Sequence, residues 1–317
     1  MVRFGVIALA ALAISISDAA EPTCSTDEVQ FAEGCVKYED AFQQTYDFLY
    51  SNLPSWDKTN KQSLGFHDSV TPDTDGLDDG IATLGLNISL DAQQKYSWAW
   101  DLPQDIFQEY VATYAHVNEA RVDWRPMLTT ATSSILDNAP SDTALDTVED
   151  VVYYINSQMW HTETSGLINN VTFKSSQTPL IYDPMSTLVF GYASCTGVSI
   201  LFADALKTVG IAARVSGTPA WNGVYENGNH NWIEVYLPET GEWAFMESNP
   251  AGGGETLSNP CDKWFCSPAK MANGTKFYSS RFDSTSSTVY PMAWDLENLE
   301  VPGDDRTDYY QDACNKC

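Results

Sequence analysis

The residue with the clearest potential for covalent chemistry is Cys195, a lone cysteine in the middle of the chain. The chain has seven cysteines, and in an oxidising compartment an odd number leaves at least one thiol unpaired in a monomer. Six cysteines allow several connectivities, but proximity in sequence predicts the pairs Cys24 with Cys35, Cys261 with Cys266, and Cys314 with Cys317. Under this pairing Cys195 is the free thiol.

A cysteine acts as a nucleophile only as its thiolate, which the N-terminus of a helix stabilises. Apolar residues at helical spacing predict a buried helix over 195–209 that begins at Cys195 and stops at Gly210. A neighbouring imidazole would lower the thiol pKa further and then protonate a leaving group. His230, at the head of a predicted strand, is the candidate. This pair fits attack on an acyl or amide carbonyl, although a lone buried cysteine is more often inert packing.

A third side chain is needed to hold the imidazole in one tautomer. Residues 230–237 alternate as in a strand, Pro238 to Gly241 form a turn, and residues 242–247 return as the partner strand. Pairing across this turn brings either Glu247 or Asn249 opposite His230, and one residue of register decides which.

Several elements must position these residues. Apolar spacing predicts helices over 25–53, 103–115 and 143–160, and a strand over 211–216. The order helix, strand, loop, hairpin predicts an α+β fold, with the nucleophile helix packed on an antiparallel sheet behind a helical N-terminal region. The predicted organisation is a signal peptide at 1–20, a helical N-terminal region at 21–140, the core at 141–290, and an acidic, disulfide-containing tail at 291–317.

The first residues are typical of a secretory signal: Arg3, an apolar run, and small residues near Ala20. The apolar run is shorter than the roughly 20 residues that span a bilayer, so we expect no membrane insertion. We therefore expect a secreted, extracellular protein. The sequons at Asn87, Asn170 and Asn273 fit a glycoprotein.

The net charge of −27 argues against nucleic acids and anionic lipid surfaces as partners. The acidic stretch Asp73–Asp79 has some likeness to a calcium loop, but Ala82 occupies the position where a bidentate Glu is needed. We interpret the stretch as a solvated loop and expect no metal or other cofactor. The sequence does not fix the oligomeric state.

Three motifs in order resemble the core of the transglutaminase-like superfamily over roughly residues 145–250. The first motif is Gly191-Tyr-Ala-Ser-Cys195, followed by the predicted helix and by Gly210-Ile-Ala-Ala-Arg214 at the start of the next strand. The second motif is His230-Asn-Trp-Ile-Glu-Val-Tyr, and the third is Gly241-Glu-Trp-Ala-Phe-Met-Glu247. The resemblance implies that Cys195 is the nucleophile and His230 the base. Glu247 stands where the family usually has Asp, and Asn249 is the alternative third member. The stretch from Trp100 to Arg125 and the triplet Lys263-Trp264-Phe265 also resemble members of the family, and we interpret them as scaffold or cleft wall.

By the same resemblance, Cys195 would form a thioester and expel ammonia or an amine, after which water or another amine would resolve the intermediate. The implied activity is that of a peptidase, amidase or protein-glutamine acyltransferase acting on a protein or peptide. The backbone N–H of Cys195 is a candidate oxyanion donor. The alternative is an inactive fold that binds a peptide or glycan by stacking on Trp221, Tyr225, Trp232 and Trp243.

Overall fold

The computed structural model describes residues 23–67, 80–253, 260–271 and 274–314. The predicted signal peptide, the acidic stretch Asp73–Asp79, the sequon at Asn273 and Cys317 lie outside the described residues. Within the described ranges, no helix is both long and apolar enough to cross a membrane. The predicted disulfides Cys24–Cys35 and Cys261–Cys266 are both present.

The N-terminal part combines a β-hairpin with four helices. Residues 28–37 form this hairpin, in which strand β1 (Glu28–Phe31) pairs antiparallel with β2 (Gly34–Lys37). The prediction of helix over 25–53 is therefore wrong for residues 28–37. Val29 and Phe31 are buried with period 2, and Gly34 supplies the positive φ of 127° at the turn. The elements are β1 (Glu28–Phe31), β2 (Gly34–Lys37), α1 (Tyr38–Ser51), α2 (Ile81–Lys95), α3 (Gln104–Tyr110) and α4 (Arg125–Asp137).

Further along, helices and short strands lead into a six-stranded sheet. The helices are α5 (Val148–Gln158), α6 (Thr162–Ser165), α7 (Pro184–Phe190) and α8 (Cys195–Lys207), and a small parallel pair joins β3 (Thr172–Phe173) to β4 (Tyr192–Ala193). The sheet has the order β7-β6-β5-β8-β10-β9. Its strands are β5 (Ala213–Thr218), β6 (His230–Leu237), β7 (Glu242–Met246), β8 (Tyr278–Ser280), β9 (Thr288–Val289) and β10 (Pro302–Asp305). Two short helices, α9 (Pro268–Met271) and α10 (Thr307–Ala313), complete the described chain.

The predicted α+β architecture is confirmed, because α8 packs on this antiparallel sheet. Every residue of α8 is buried. Its apolar side chains, among them Val198 and Leu201, share one core cluster with Ile233 and Val235 of β6. The nucleophile helix is therefore central to the molecule.

Two charged residues lie on the buried far half of α8. Asp204 contacts the His116 ring at 3.1 Å, and the Lys207 ammonium donates to the Thr113 hydroxyl at 2.8 Å. Burial raises the pKa of Asp204 to about 7 and lowers the pKa of Lys207 to about 7, each opposed by the charge of the other. Residues of the N-terminal region thus satisfy polar groups on the nucleophile helix.

The segment predicted as an acidic tail contributes to the sheet. The carboxylate of Glu234, fully buried in β6, accepts from the Arg214 guanidinium at 2.7 Å and from the Arg306 guanidinium at 2.9 Å. The hydroxyls of Ser279 and Tyr310 also donate to it, each at 2.9 Å. One carboxylate therefore joins β5, β6 and β8 to residues that follow β10. The predicted domain boundaries remain predictions.

We predict that Glu234→Gln destabilises the fold by about 3 kcal/mol or more, because it leaves two guanidinium groups without their buried counter-charge. The change keeps nearly the same side-chain volume, so loss of charge is what is measured. The measurement is urea unfolding. The matched control is Glu242→Gln, an exposed acid on β7, which should shift stability by no more than about 0.5 kcal/mol. Equal unfolding midpoints for the two variants would contradict the assigned role of Glu234.

Candidate active site

The turn before α8 delivers Cys195 to the first position of the helix. Helix α7 ends at Gly191, whose φ of 72° is left-handed, and the chain then passes through β4 into α8. Gly197, in the first turn of α8, has no room for a side chain, since a Cβ there would lie 2.5 Å from the Cβ of Ala193. Glycine at these two positions lets the strand, the turn and the helix start pack against one another.

Cys195, His230 and Glu247 form one hydrogen-bonded chain. His230 Nε2 lies 2.5 Å from Glu247 Oε1, and the His230 side chain also hydrogen-bonds Cys195. Since Nε2 binds the carboxylate, Nδ1 is the ring nitrogen left for the thiol. All three side chains are buried, with Cys195 only 8% exposed. Cys195 is a free cysteine.

The electrostatics of this chain favour a thiolate and imidazolium pair. Burial alone would raise the pKa of the Cys195 thiol, but the hydrogen bond and charge of His230, together with the backbone N–H groups of Asn231 and Thr196, lower it below its usual value. Burial alone would lower the pKa of His230, and its bonds to Cys195 and Glu247 instead raise it to about 10. Both shifts favour transfer of the proton from the thiol to the imidazole.

The register of the hairpin explains why Glu247 reaches His230 and Asn249 does not. Pairing ends at Ile233 with Met246, and extending it would set position 249 opposite His230. The chain instead leaves the sheet after Met246 and turns at 249–251. Glu247 is then a diagonal neighbour of His230, within reach of a long side chain.

Asn156 of α5 holds the two candidate third members apart. Its side-chain amide donates to the backbone carbonyl of Glu247 at 2.9 Å. The side-chain amide of Asn249 donates to the backbone carbonyl of Asn156 at 2.6 Å. The backbone N–H of Asn249 donates to Asn156 Oδ1 at 2.9 Å. Asn249 thus faces α5, and its bonds to Asn156 help to hold the segment that carries Glu247.

Sequence reasoning missed the polar groups under the nucleophile. The Thr196 hydroxyl donates to Asn231 Oδ1 at 2.9 Å, and the Asn231 amide donates to the Tyr290 hydroxyl at 2.6 Å. Because the Asn231 N–H also binds the Cys195 sulfur, these contacts fix a group that touches the nucleophile. The only available signal was that Asn231 directly follows His230, and Tyr290 lies too far along the chain to be inferred.

Aromatic rings surround the imidazole. The ring centroids of Trp232, Trp264 and Phe265 lie 5.7, 5.4 and 5.9 Å from that of His230. Trp232 and Phe265 are buried, whereas Trp264 is exposed. A separate cavity, bounded in part by His116, lies between the N-terminal region and the C-terminal segment, and Cys195 does not line it.

Within the part of the chain that the structure describes, two groups of side chains have the spacing of metal ligands. Each contains disulfide-bonded cysteines, whose sulfurs are not the thiolates that metals bind. These groups are Cys24, Glu28 and Cys35, and Cys261, Cys266 and Cys314.

We predict that shortening the acid separates it from the imidazole. Glu247→Asp should lower the rate of Cys195 alkylation by iodoacetamide at neutral pH by about tenfold, because the diagonal position needs the longer side chain. Asn249→Ala, the matched control for the other candidate, should leave the rate within about twofold. A larger loss from Asn249→Ala than from Glu247→Asp would reverse the assignment.

We also predict the pH dependence of this alkylation. A lowered thiol pKa keeps the thiolate present as pH falls below the ordinary value of about 8.5, so the wild-type rate should stay high at neutral pH. In His230→Ala, burial is opposed only by the backbone N–H groups of Asn231 and Thr196. The thiol pKa should therefore rise, so the rate at pH 7 should fall at least about tenfold and recover only in alkaline solution. The control is His161→Ala, an exposed histidine. A wild-type profile that rises only above the ordinary thiol pKa would contradict the ion pair.

Comparison with known proteins agrees with this geometry. Residues 130–248 match the model of the transglutaminase-like superfamily, a range that includes Cys195, His230 and Glu247. A solved structure from Cytophaga hutchinsonii, named as a candidate cysteine protease, aligns with a TM-score of 0.27 and 15% identity, over 59% of this chain and 64% of that chain. No curated protein gives a match. Residues 130–248 are therefore similar to the core of the transglutaminase-like superfamily.

Proposed function

We propose that the protein is a secreted cysteine enzyme that forms a thioester on Cys195 and cleaves or transfers an acyl or amide group. The observation that carries the proposal is the buried chain of Cys195, His230 and Glu247, in which the thiol pKa is lowered and the imidazole pKa is raised. A purely structural cysteine has no need of an imidazole oriented by a carboxylate.

In the first half of the proposed reaction, the Cys195 thiolate attacks the carbonyl carbon of an amide. The carbonyl π pair moves to oxygen, and the backbone N–H of Cys195, at the N-terminus of α8, is positioned to stabilise the oxyanion. Collapse of the intermediate breaks the C–N bond, and His230 gives its proton to the departing ammonia or amine. The products are a thioester on Cys195 and a neutral imidazole held by Glu247.

In the second half, His230 takes a proton from water or from a second amine as that nucleophile attacks the thioester. The C–S bond breaks, the thiolate returns, and the imidazolium forms again. Water gives an acid and an amine gives a new amide, so peptidase, amidase and protein-glutamine acyltransferase activities share these steps. A protein or peptide is the proposed substrate class.

The disulfides support secretion as part of the proposal. Cys24–Cys35 and Cys261–Cys266 are bonds of the kind that persist in oxidising compartments. Asn170, one of the predicted glycosylation sites, is exposed, whereas Asn87 lies half-buried in α2. Asn170 is therefore the better candidate for modification.

A binding module without catalysis is the second candidate. The observation that favours it is the burial of the nucleophile, since Cys195 is only 8% exposed. Glu247 is one methylene longer than the Asp that is usual in the family, but its 2.5 Å contact with His230 means that this difference gives little support to an inactive site.

Trapping of the acyl intermediate tests the proposal. Incubation with glutamine-containing peptides, followed by acid quenching and intact-mass measurement, should give one hydroxylamine-sensitive acyl group per chain, located on Cys195. His230→Ala should lower the rate of its formation by about a hundredfold or more, and Cys195→Ala should abolish it. Adding a primary amine should then give an amide product if the enzyme transfers and an acid if it hydrolyses. The absence of an adduct, together with slow alkylation that does not depend on His230, would favour the binding module.

A further inference from the structure

We infer that Trp264 forms a substrate subsite beside His230 that accepts an aromatic side chain of a peptide, next to the amide that Cys195 attacks. The inference rests on the proposed function and specifies the substrate of the same site.

Trp264 is the exposed member of a buried aromatic cluster. It is 58% exposed, whereas its neighbours Trp221 and Phe265 are almost completely buried. Its ring centroid lies 5.8 Å from that of Trp221, 5.6 Å from that of Phe265 and 5.4 Å from that of His230. A large indole surface is thus presented to solvent directly beside the imidazole, in the manner of the tryptophan anchors that dominate binding energies.

The loop that carries Trp264 is held from several sides. The Cys261–Cys266 disulfide closes it, and Phe265 is fully buried beneath it. Lys263 donates from its ammonium to the carbonyl of Gly252 at 3.3 Å, and the Cys266 N–H donates to the carbonyl of Lys263 at 3.1 Å. An anchor that is ordered before binding loses little conformational entropy when a ligand arrives.

The segment next to the start of α8 also carries an exposed apolar side chain. Thr178 hydrogen-bonds Ser194, and the Ile181 carbonyl lies 3.0 Å from where a Gly197 Cβ would be. Leu180, between these two residues, is 81% exposed.

This arrangement favours a peptide over a glycan. An extended peptide places a side chain next to its reacting amide, where Trp264 offers an apolar contact beside His230. A saccharide needs hydrogen-bond partners for its hydroxyls. The Trp264 indole instead contacts three rings and faces the ammonium of Lys270 at 5.9 Å.

The test compares three alkylators of Cys195: iodoacetamide, acetyl-alanyl chloromethyl ketone and acetyl-phenylalanyl chloromethyl ketone. The phenylalanyl reagent should react at least about tenfold faster than the alanyl reagent, reflecting burial of one aromatic side chain. Trp264→Ala should remove this preference, measured as the ratio of the phenylalanyl to the alanyl rate within each variant so that any change in thiol reactivity cancels, whereas Trp264→Phe should retain most of it. Leu299→Ala, an exposed apolar residue on the separate cavity, is the matched control and should retain all of it.

Failure of this inference is distinguishable from failure of the proposed function. A preference that is absent, or that survives Trp264→Ala, overturns the subsite while fast, His230-dependent reaction with iodoacetamide still supports the nucleophile. Binding to Cys195→Ala gives a readout without catalysis. An acetyl-phenylalanyl peptide amide should bind, and Trp264→Ala should weaken that binding by at least about fivefold. Saturable, Trp264-dependent binding of diacetylchitobiose in place of the peptide would overturn the inference in favour of a glycan.

Discussion

A charge pair held out of water constrains the whole molecule. Cys195 and His230 are both buried, so neither ion has bulk solvent to stabilise it. Cys195 depends on His230 and on two backbone N–H groups, and His230 depends on Cys195 and Glu247. Such a pair is favourable only while its geometry is maintained, because separation leaves an uncompensated charge in a medium of low dielectric. The elements that carry these residues, α8, β6 and the end of β7, must therefore be fixed relative to one another.

Two further networks of buried charge provide that rigidity. At the far end of α8, Asp204 contacts His116 and Lys207 donates to Thr113, two residues that precede α4 in the chain. In the sheet, Glu234 joins Arg214 of β5 to Arg306, which follows β10. The helix that begins at Cys195 and the strand that begins at His230 are thus tied to different parts of the chain. The N-terminal region and the C-terminal segment support the elements that carry the candidate site.

Much of the core could be predicted because its signals are local. The buried helix after Cys195 and the hairpin around Pro238 follow from spacing and turn chemistry within short windows. The hairpin at 28–37 was mistaken for helix because Val29, Phe31 and Val36 fit both spacings over so short a stretch. The contacts of Glu234 with Arg306 and of Asn231 with Tyr290 are long-range, so no periodicity reports them.

The choice between Glu247 and Asn249 shows a subtler limit. From the sequence, one residue of strand register decides which of the two lies opposite His230. Continued pairing of β6 with β7 in the observed register would have placed residue 249 there. The actual answer depends on where the strand ends, which Asn156 of a distant helix determines through its bonds to residues 247 and 249. Strand termination by tertiary contacts is invisible to a local pattern. It also accounts for a glutamate where the family usually has aspartate.

The connection of Glu234 to Arg306 has a consequence for the order of events during biosynthesis. Arg306 follows Glu234 by 72 residues, so a chain that emerges from its N-terminus presents the carboxylate well before the guanidinium. In that interval β6, which begins at His230, lacks one of the cations that compensate its buried charge. The buried carboxylate of β6 therefore has its full set of hydrogen-bond partners only after the segment beyond β10 has been synthesised.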